Sequence, residues 1–421
     1  MVQGKRLMQE KQPSMLPIFM VVFIDMIGLG LAIPILAPMF FDVQHGVLPA
    51  GYGVGIRGIL LGLLIAAYPL AQFFGSPIIG ALSDHRGRKP VLLITLAGTM
   101  LGYLVFAAGV LLGNVPLLYI GRMVSGFTGG NMATAYSAIA DISDEKSKTR
   151  NFGLVGVAFG VGFVIGPYLG GQLSDPSVVP WFNFSTPFFA AALLALANMM
   201  MVYFRFEETL KVRVHTPMSP WMGFANLKRA ASLPSLRTMF IVIFLYMFGY
   251  TMYTQFLSVY LIERFDFSTG HIGDIYAFIG LCIALTQGFV VRPISRRFTS
   301  EQVLQVSFLG LSLAVGAVLL ATDAAHVYFF IPAVALFAGL TYPNTVTVVS
   351  NLAGRESQGE ILGINQSIQA AAQAIPPIIA GVIISIGVTL PIICASAIIF
   401  LAWACFALFQ RAERARKFHE V

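Results

Sequence analysis

The chain has 421 residues, of which 57% are hydrophobic and only 11% charged, and its formal net charge is +7. No water-soluble domain of this length could cover itself with so little polar surface, so the composition excludes a soluble enzyme or a soluble binding module. Three cysteines, Cys282, Cys394 and Cys405, all sit in apolar stretches and suggest neither a disulfide framework nor a metal site.

Apolar runs predict an all-α membrane protein of twelve spans, at roughly 16–41, 58–82, 90–112, 116–140, 152–173, 185–206, 238–261, 271–293, 302–321, 327–350, 360–384 and 387–409. The first run is too long for a cleavable signal and has no small-residue cleavage site after it. If both termini are cytoplasmic, every Lys and Arg of the 26 lies on the inside except Arg57, Arg264 and the intramembrane Arg122. That asymmetry predicts a multi-pass protein of the plasma (inner) membrane, with anionic lipid as neighbour and no nucleic acid.

The first span carries Asp25 near its middle. A carboxylate at that depth costs about 2.5–3.5 kcal/mol on insertion scales unless it faces a cavity or a partner, so Asp25 is a candidate ion-coupling or substrate group. Between spans two and three lies Gly80-Ala81-Leu82-Ser83-Asp84-His85-Arg86-Gly87-Arg88-Lys89, an acid, a turn-permitting glycine and a basic cluster. Span four carries Arg122 within Gly121-Arg122-Met123-Val124-Ser125-Gly126. Its long side chain can approach Asp25, or snorkel to the outer headgroups. Span five carries Gly162, Gly166, Pro167, Gly170 and Gly171, a small-residue face that admits a close neighbouring helix and a proline that can bend its own. The run Glu207-Glu208-Thr209-Leu210 follows span six.

Residues 207–237 form the longest polar segment and read as a cytoplasmic linker between two halves, 1–206 and 238–421. At a constant offset Gly129 matches Gly339, Pro167 matches Pro377 and Gly171 matches Gly381, while Asp25 at the head of the first half lines up with Tyr246. Chance similarity between apolar segments is the alternative, but a constant offset across two successive spans favours the internal repeat typical of secondary transporters. The intramembrane charges then belong to the first half.

Polar and aromatic residues at mid-span are the substrate-cavity candidates: Tyr68 and Gln72; Asn131 and Tyr136; Tyr246, Tyr250, Tyr253 and Gln255; Asn344; Gln366, Gln369 and Gln373. Each either lines a cavity or glues helices together. Asp274 and His271 read as a helix cap in preference to a proton relay. There is no phosphate-binding loop with a lysine, hence no ATP drive, and no clustered metal ligands; no cofactor is expected.

These motifs make the chain resemble the major facilitator superfamily, specifically its twelve-span drug:proton antiporters, among them tetracycline-efflux-like proteins. The resemblance implies two six-helix halves with proton coupling at Asp25 and Arg122. Gly80, Asp84, Gly87, Arg88 and Lys89 would form a cytoplasmic latch, with His85 departing from the family pattern. Gly162 to Gly171 would be an antiporter signature, and Glu207 stands where the family has proline. The expected function is proton-coupled export of an amphipathic small molecule by a monomer. A transporter of a sugar, siderophore or nucleoside, or a receptor or scaffold that kept the fold, are the alternatives. The acids that tetracycline exporters carry in further spans are missing from spans three and nine, so the cavity is expected to suit neutral or singly cationic amphiphiles.

Overall fold

The computed structural model describes residues 15–143, 145–210, 213, 219–352 and 358–419. Lys5, Arg6, Lys11, Lys211 and Arg355, which enter the topology argument, lie outside the described residues, as does Pro217 in the linker.

The described residues are helical and contain no strand. The helices are α1 (Met15–Phe41), α2 (Val54–Arg86), α3 (Arg88–Leu111), α4 (Val115–Thr128), α5 (Asn131–Ile142), α6 (Glu145–Ser174), α7 (Thr186–Arg205), α8 (Met222–Ser232), α9 (Pro234–Phe265), α10 (Thr269–Leu285), α11 (Val291–Ser295), α12 (Ser300–Ala317), α13 (Ala324–Leu352), α14 (Gln358–Ile383) and α15 (Leu390–His419). Among the described residues ten helices are long and apolar enough to cross a membrane. The other two expected spans are interrupted or diluted. Span four is not continuous: it breaks at Gly129-Gly130 into α4 and α5. Span eleven is α14, whose glutamines lower its apolar character. Span eight also departs from a plain helix, passing through a π turn at Thr286–Val290. The linker carries a helix, α8, that hydrophobic-run reading did not anticipate.

Glycines set where the helices meet. A Cβ on Gly166 would stand 2.8 Å from the Gly30 Cα, and one on Gly162 would stand 2.7 Å from Met26 Cβ, so α6 lies backbone to backbone against α1. Gly171, on another side of α6, meets Gly273 of α10. The corresponding contact on the other side of the repeat is Gly381 of α14 against Gly58 of α2. The Gly171–Gly273 and Gly381–Gly58 contacts join the first six spans to the last six at the membrane end that carries Arg57. At the opposite end, which carries Arg86, Arg88 and Lys89 and is called the basic end below, nothing among the described residues lies within 4 Å of a Cβ built on Gly80, Gly156, Gly160 or Gly363. Along these glycine faces the halves therefore meet at the Arg57 end and part, leaving a cleft, toward the basic end.

Arg57 explains itself locally. It is buried and donates to the carbonyls of Phe40 at 2.5 Å, Pro49 at 2.7 Å and Tyr52 at 2.7 Å, tying the end of α1 and its following loop to α2. A guanidinium has donors enough to satisfy three carbonyls at once.

Candidate functional site

Asp25 lies in α1 opposite the break in span four. Gly129 and Gly130 end α4 in a turn, and Asn131 then opens α5 with its amide aimed at Asp25. Asn131 Nδ2 donates to Asp25 Oδ2 at 2.5 Å. From α7, Asn198 Nδ2 reaches Asp25 Oδ1 at 3.4 Å and the Val21 carbonyl at 3.3 Å. Both asparagines are buried, and the Asn198 Oδ1 is buried with no hydrogen-bond partner among the described residues. A half-buried carboxylate such as Asp25 is stabilised by such charge-assisted donors.

Arg122 does not form an ion pair with Asp25. It is 7% exposed, its guanidinium carbon lies 5.0 Å from the centre of the Tyr68 ring, and its Nε has no hydrogen-bond partner among the described residues. Stacking on an aromatic face offsets part of its desolvation. Tyr68 and Tyr103 lie close enough to interact electrostatically with both Asp25 and Arg122. The six groups Asp25, Tyr68, Tyr103, Arg122, Asn131 and Asn198 thus converge from six helix segments of the first half. Gln72 braces the break by donating to the Gly129 carbonyl at 3.1 Å.

The remaining cavity candidates divide. Gln366 and Gln373 are exposed on the same stripe of α14 as Pro377 and Gly381, which pack on α2. They therefore face the cleft where the halves have parted. Tyr250, Gln255 and Tyr136 are half-buried, and Tyr136 sits near Tyr342 of α13. Tyr246 and Tyr253, expected on one cavity face with Tyr250, are buried in the core, Tyr246 against Phe308. Gln369 is also buried, and Asn344 donates to the carbonyl of Leu340 in its own helix at 2.8 Å. The cap of α10 is Ser268, which accepts from the His271 backbone; the Asp274 carboxylate is not the capping group.

Sequence reading missed Asn198 and Tyr103. Asn198 was legible as an isolated amide in an alanine, leucine and methionine run. Tyr103 carried no such signal, because a tyrosine at mid-span has many uses.

The basic-end loop holds together by charge. Gly87 has φ +107°, a backbone that disfavours side chains, so a single residue reverses the chain between α2 and α3. Arg88 donates to Asp84 at 2.5 Å, Ser83 at 2.7 Å and Asp141 at 3.0 Å. Glu208 accepts from the backbone of Arg88 at 2.8 Å and Lys89 at 3.1 Å, placing its carboxylate on the N-terminus of α3 where the helix dipole favours it. Thr209 donates to Asp141 at 3.2 Å. A separate recess of about 490 Å³, lined by Val47, Tyr52 and Asn114 among others, opens at the Arg57 end and is remote from Asp25.

The family model of the Major Facilitator Superfamily matches residues 18–377. The chain belongs to the major facilitator superfamily. Among curated members of the superfamily, the tetracycline resistance protein, class C, of Escherichia coli is 32% identical over 362 residues, covering 85% of this chain and 86% of that protein. Major facilitator superfamily domain-containing protein 10 of Mus musculus is 28% identical over 404 residues, covering 86% and 85%. Of solved superfamily structures, the human organic anion transporter MFSD10 superposes with a TM-score of 0.70 at 23% identity, covering 93% of this chain and 98% of that one. The inward-open xylose transporter XylE of E. coli gives 0.73 at 14% identity, covering 93% and 95%. The chain is a multi-pass membrane transporter of the superfamily.

Proposed function

We propose that the chain is a proton-coupled exporter of amphipathic small molecules, exchanging substrate for protons by alternating access. The observation that carries this reading is a half-buried mid-span carboxylate, Asp25, held by the amides of Asn131 and Asn198. The efflux relatives and the glycine motif of α6 support the outward direction.

The chemistry follows from the donor set. As a carboxylate, Asp25 accepts from both amides. As a carboxylic acid it has one hydroxyl to donate and needs an acceptor. Asn198 has an unused Oδ1, so a turn of its amide supplies that acceptor. One side chain can thus satisfy both protonation states, which a proton carrier requires. Arg122 is the cation that stabilises the deprotonated form as the helices shift around it. The basic end is taken as cytoplasmic, with both termini and the linker on that side of the plasma membrane. The cleft then opens inward, and Gln366 and Gln373 of α14 meet the entering substrate. The latch residues Gly80, Asp84, Gly87, Arg88 and Lys89 act on the closing of that end. Reconstituted in liposomes, the protein should release protons when substrate is supplied, and Asp25→Asn should be silent; substrate movement with no proton movement would refute coupling.

A second reading, in which the substrate carries an anionic group, rests on Arg122. It is buried, lacks an ion-pair partner within 4 Å among the described residues and has an unpartnered Nε. The human organic anion transporter MFSD10, which shares the fold, agrees with it. Matched anionic and cationic amphiphiles, tested for binding to parent and Arg122→Gln proteins, separate the two readings.

A further inference from the structure

The linker helix α8 lies across two helices that belong to different halves. Gly223 packs into the ring of Phe73 in α2, and Asn226 Nδ2 donates to Ser367 Oγ of α14 at 2.9 Å. At about 1.5 Å per residue, Phe73 is roughly 22 Å along α2 from the Gly58 contact, and Ser367 is roughly 21 Å along α14 from the Gly381 contact. The two docking points are therefore level, roughly 8 Å inside the far boundary of an apolar core about 30 Å thick, the depth at which an interfacial helix seats its apolar face.

The outward face of α8 suits that boundary. Trp221 is 66% exposed and Phe224 is 49% exposed, although both also touch Phe74 of α2. Lys228 follows on the same stripe, and Arg229 is exposed beside it. Exposed aromatic rings at the headgroup level with basic residues alongside are the pattern of a helix lying in a membrane interface.

We propose that α8 is an interfacial helix that binds the headgroups of anionic phospholipids through Lys228 and Arg229, with Trp221 and Phe224 seated at the acyl boundary. Charge selects this occupant: a basic group near an anionic surface enriches it about fivefold. The helix then ties the leaflet to α2 and α14 together, at the end where the two halves have separated.

The test uses the full-length protein with Trp181→Phe and Trp403→Phe, which leaves Trp221 as the only tryptophan. It is reconstituted in phosphatidylcholine vesicles that contain equal mole fractions of either brominated phosphatidylcholine or brominated phosphatidylglycerol, with bromine near the headgroup end of the acyl chain. Both quenchers should dim Trp221. Brominated phosphatidylglycerol should do so as strongly as a severalfold larger fraction of brominated phosphatidylcholine. Lys228→Gln with Arg229→Gln, or high salt, should remove that preference while leaving the quenching itself. Equal quenching by the two lipids in the parent would overturn the headgroup site. No quenching by either would overturn the interfacial placement and show the face covered by protein.

Discussion

Asn131 donates its amide to the carboxylate of Asp25 across 2.5 Å, and it can do so because span four breaks immediately before it. Interrupted helices in transporters place polar backbone and side chains where a ligand or ion binds. Here the break points a side-chain amide at the one mid-span carboxylate of α1. Asn131→Leu keeps the volume and removes the donor. Losing one of two hydrogen bonds to a charged group costs about 1.5–3 kcal/mol, so proton-coupled uptake into inverted vesicles should fall by more than tenfold, with expression retained. Asn131→Asp would restore activity only if a second carboxylate were tolerated, and it is expected to fail as well.

Asp25→Asn should leave the protein folded and inserted but abolish substrate accumulation against a gradient. The replacement is nearly isosteric and cannot release a proton. Facilitated equilibration down a substrate gradient should survive. Concentrative transport by Asp25→Asn would move the coupling site elsewhere.

Gly62 faces the α14 backbone, and a Cβ there would stand 2.2 Å from the Pro377 carbonyl oxygen. Gly62→Val should therefore wedge α2 from α14 at the Arg57 end, at a packing cost of about 1–3 kcal/mol to the closed arrangement. A cysteine placed at Gly363 in a background lacking Cys282, Cys394 and Cys405 reads the other end of the cleft. Its labelling should drop in Gly62→Val, because opening one end closes the other. Unchanged labelling would mean that the two ends are not linked.

Asp84→Asn should slow turnover while leaving equilibrium substrate affinity within a few-fold, because Arg88 keeps Asp141 and Ser83 as partners. Glu208→Ala strips the carboxylate from the N-terminus of α3 and should cost about 1 kcal/mol, read as a lower melting temperature of the detergent-solubilised protein. Loss of substrate binding in Asp84→Asn with normal conformational exchange would remove the loop from the latch.

The linker should be inaccessible from outside intact cells. Ser219→Cys in the cysteine-free background should resist an impermeant maleimide until the cells are opened. Ready labelling would invert the topology. Tetracycline is expected to be a poor substrate, since Asp25 is the only mid-span acid, and expression should raise tetracycline resistance little. High-level resistance that disappears in Asp25→Asn would reverse that view.

The sequence alone determined the membrane class, the family and the lone acid at mid-span. Those follow from local properties: a run of apolar residues needs a bilayer, and a buried Asp has a cost wherever the run folds. The glycine motif of α6 was legible for the same reason, since small residues at helical spacing have few uses besides close packing, but which helix each glycine meets was not. The neighbours Gly30 and Gly273 are far off in the chain. The break at Gly129-Gly130 was hidden because glycine within a span reads equally as packing or as interruption, and the choice depends on whether Gln72 and Asn131 find partners. The partner of Asp25 was set only by the packed bundle. Arg122 had the charge to pair with it, but Tyr68 took the guanidinium and two asparagines took the carboxylate, because side-chain direction and depth, not charge alone, decide which groups touch.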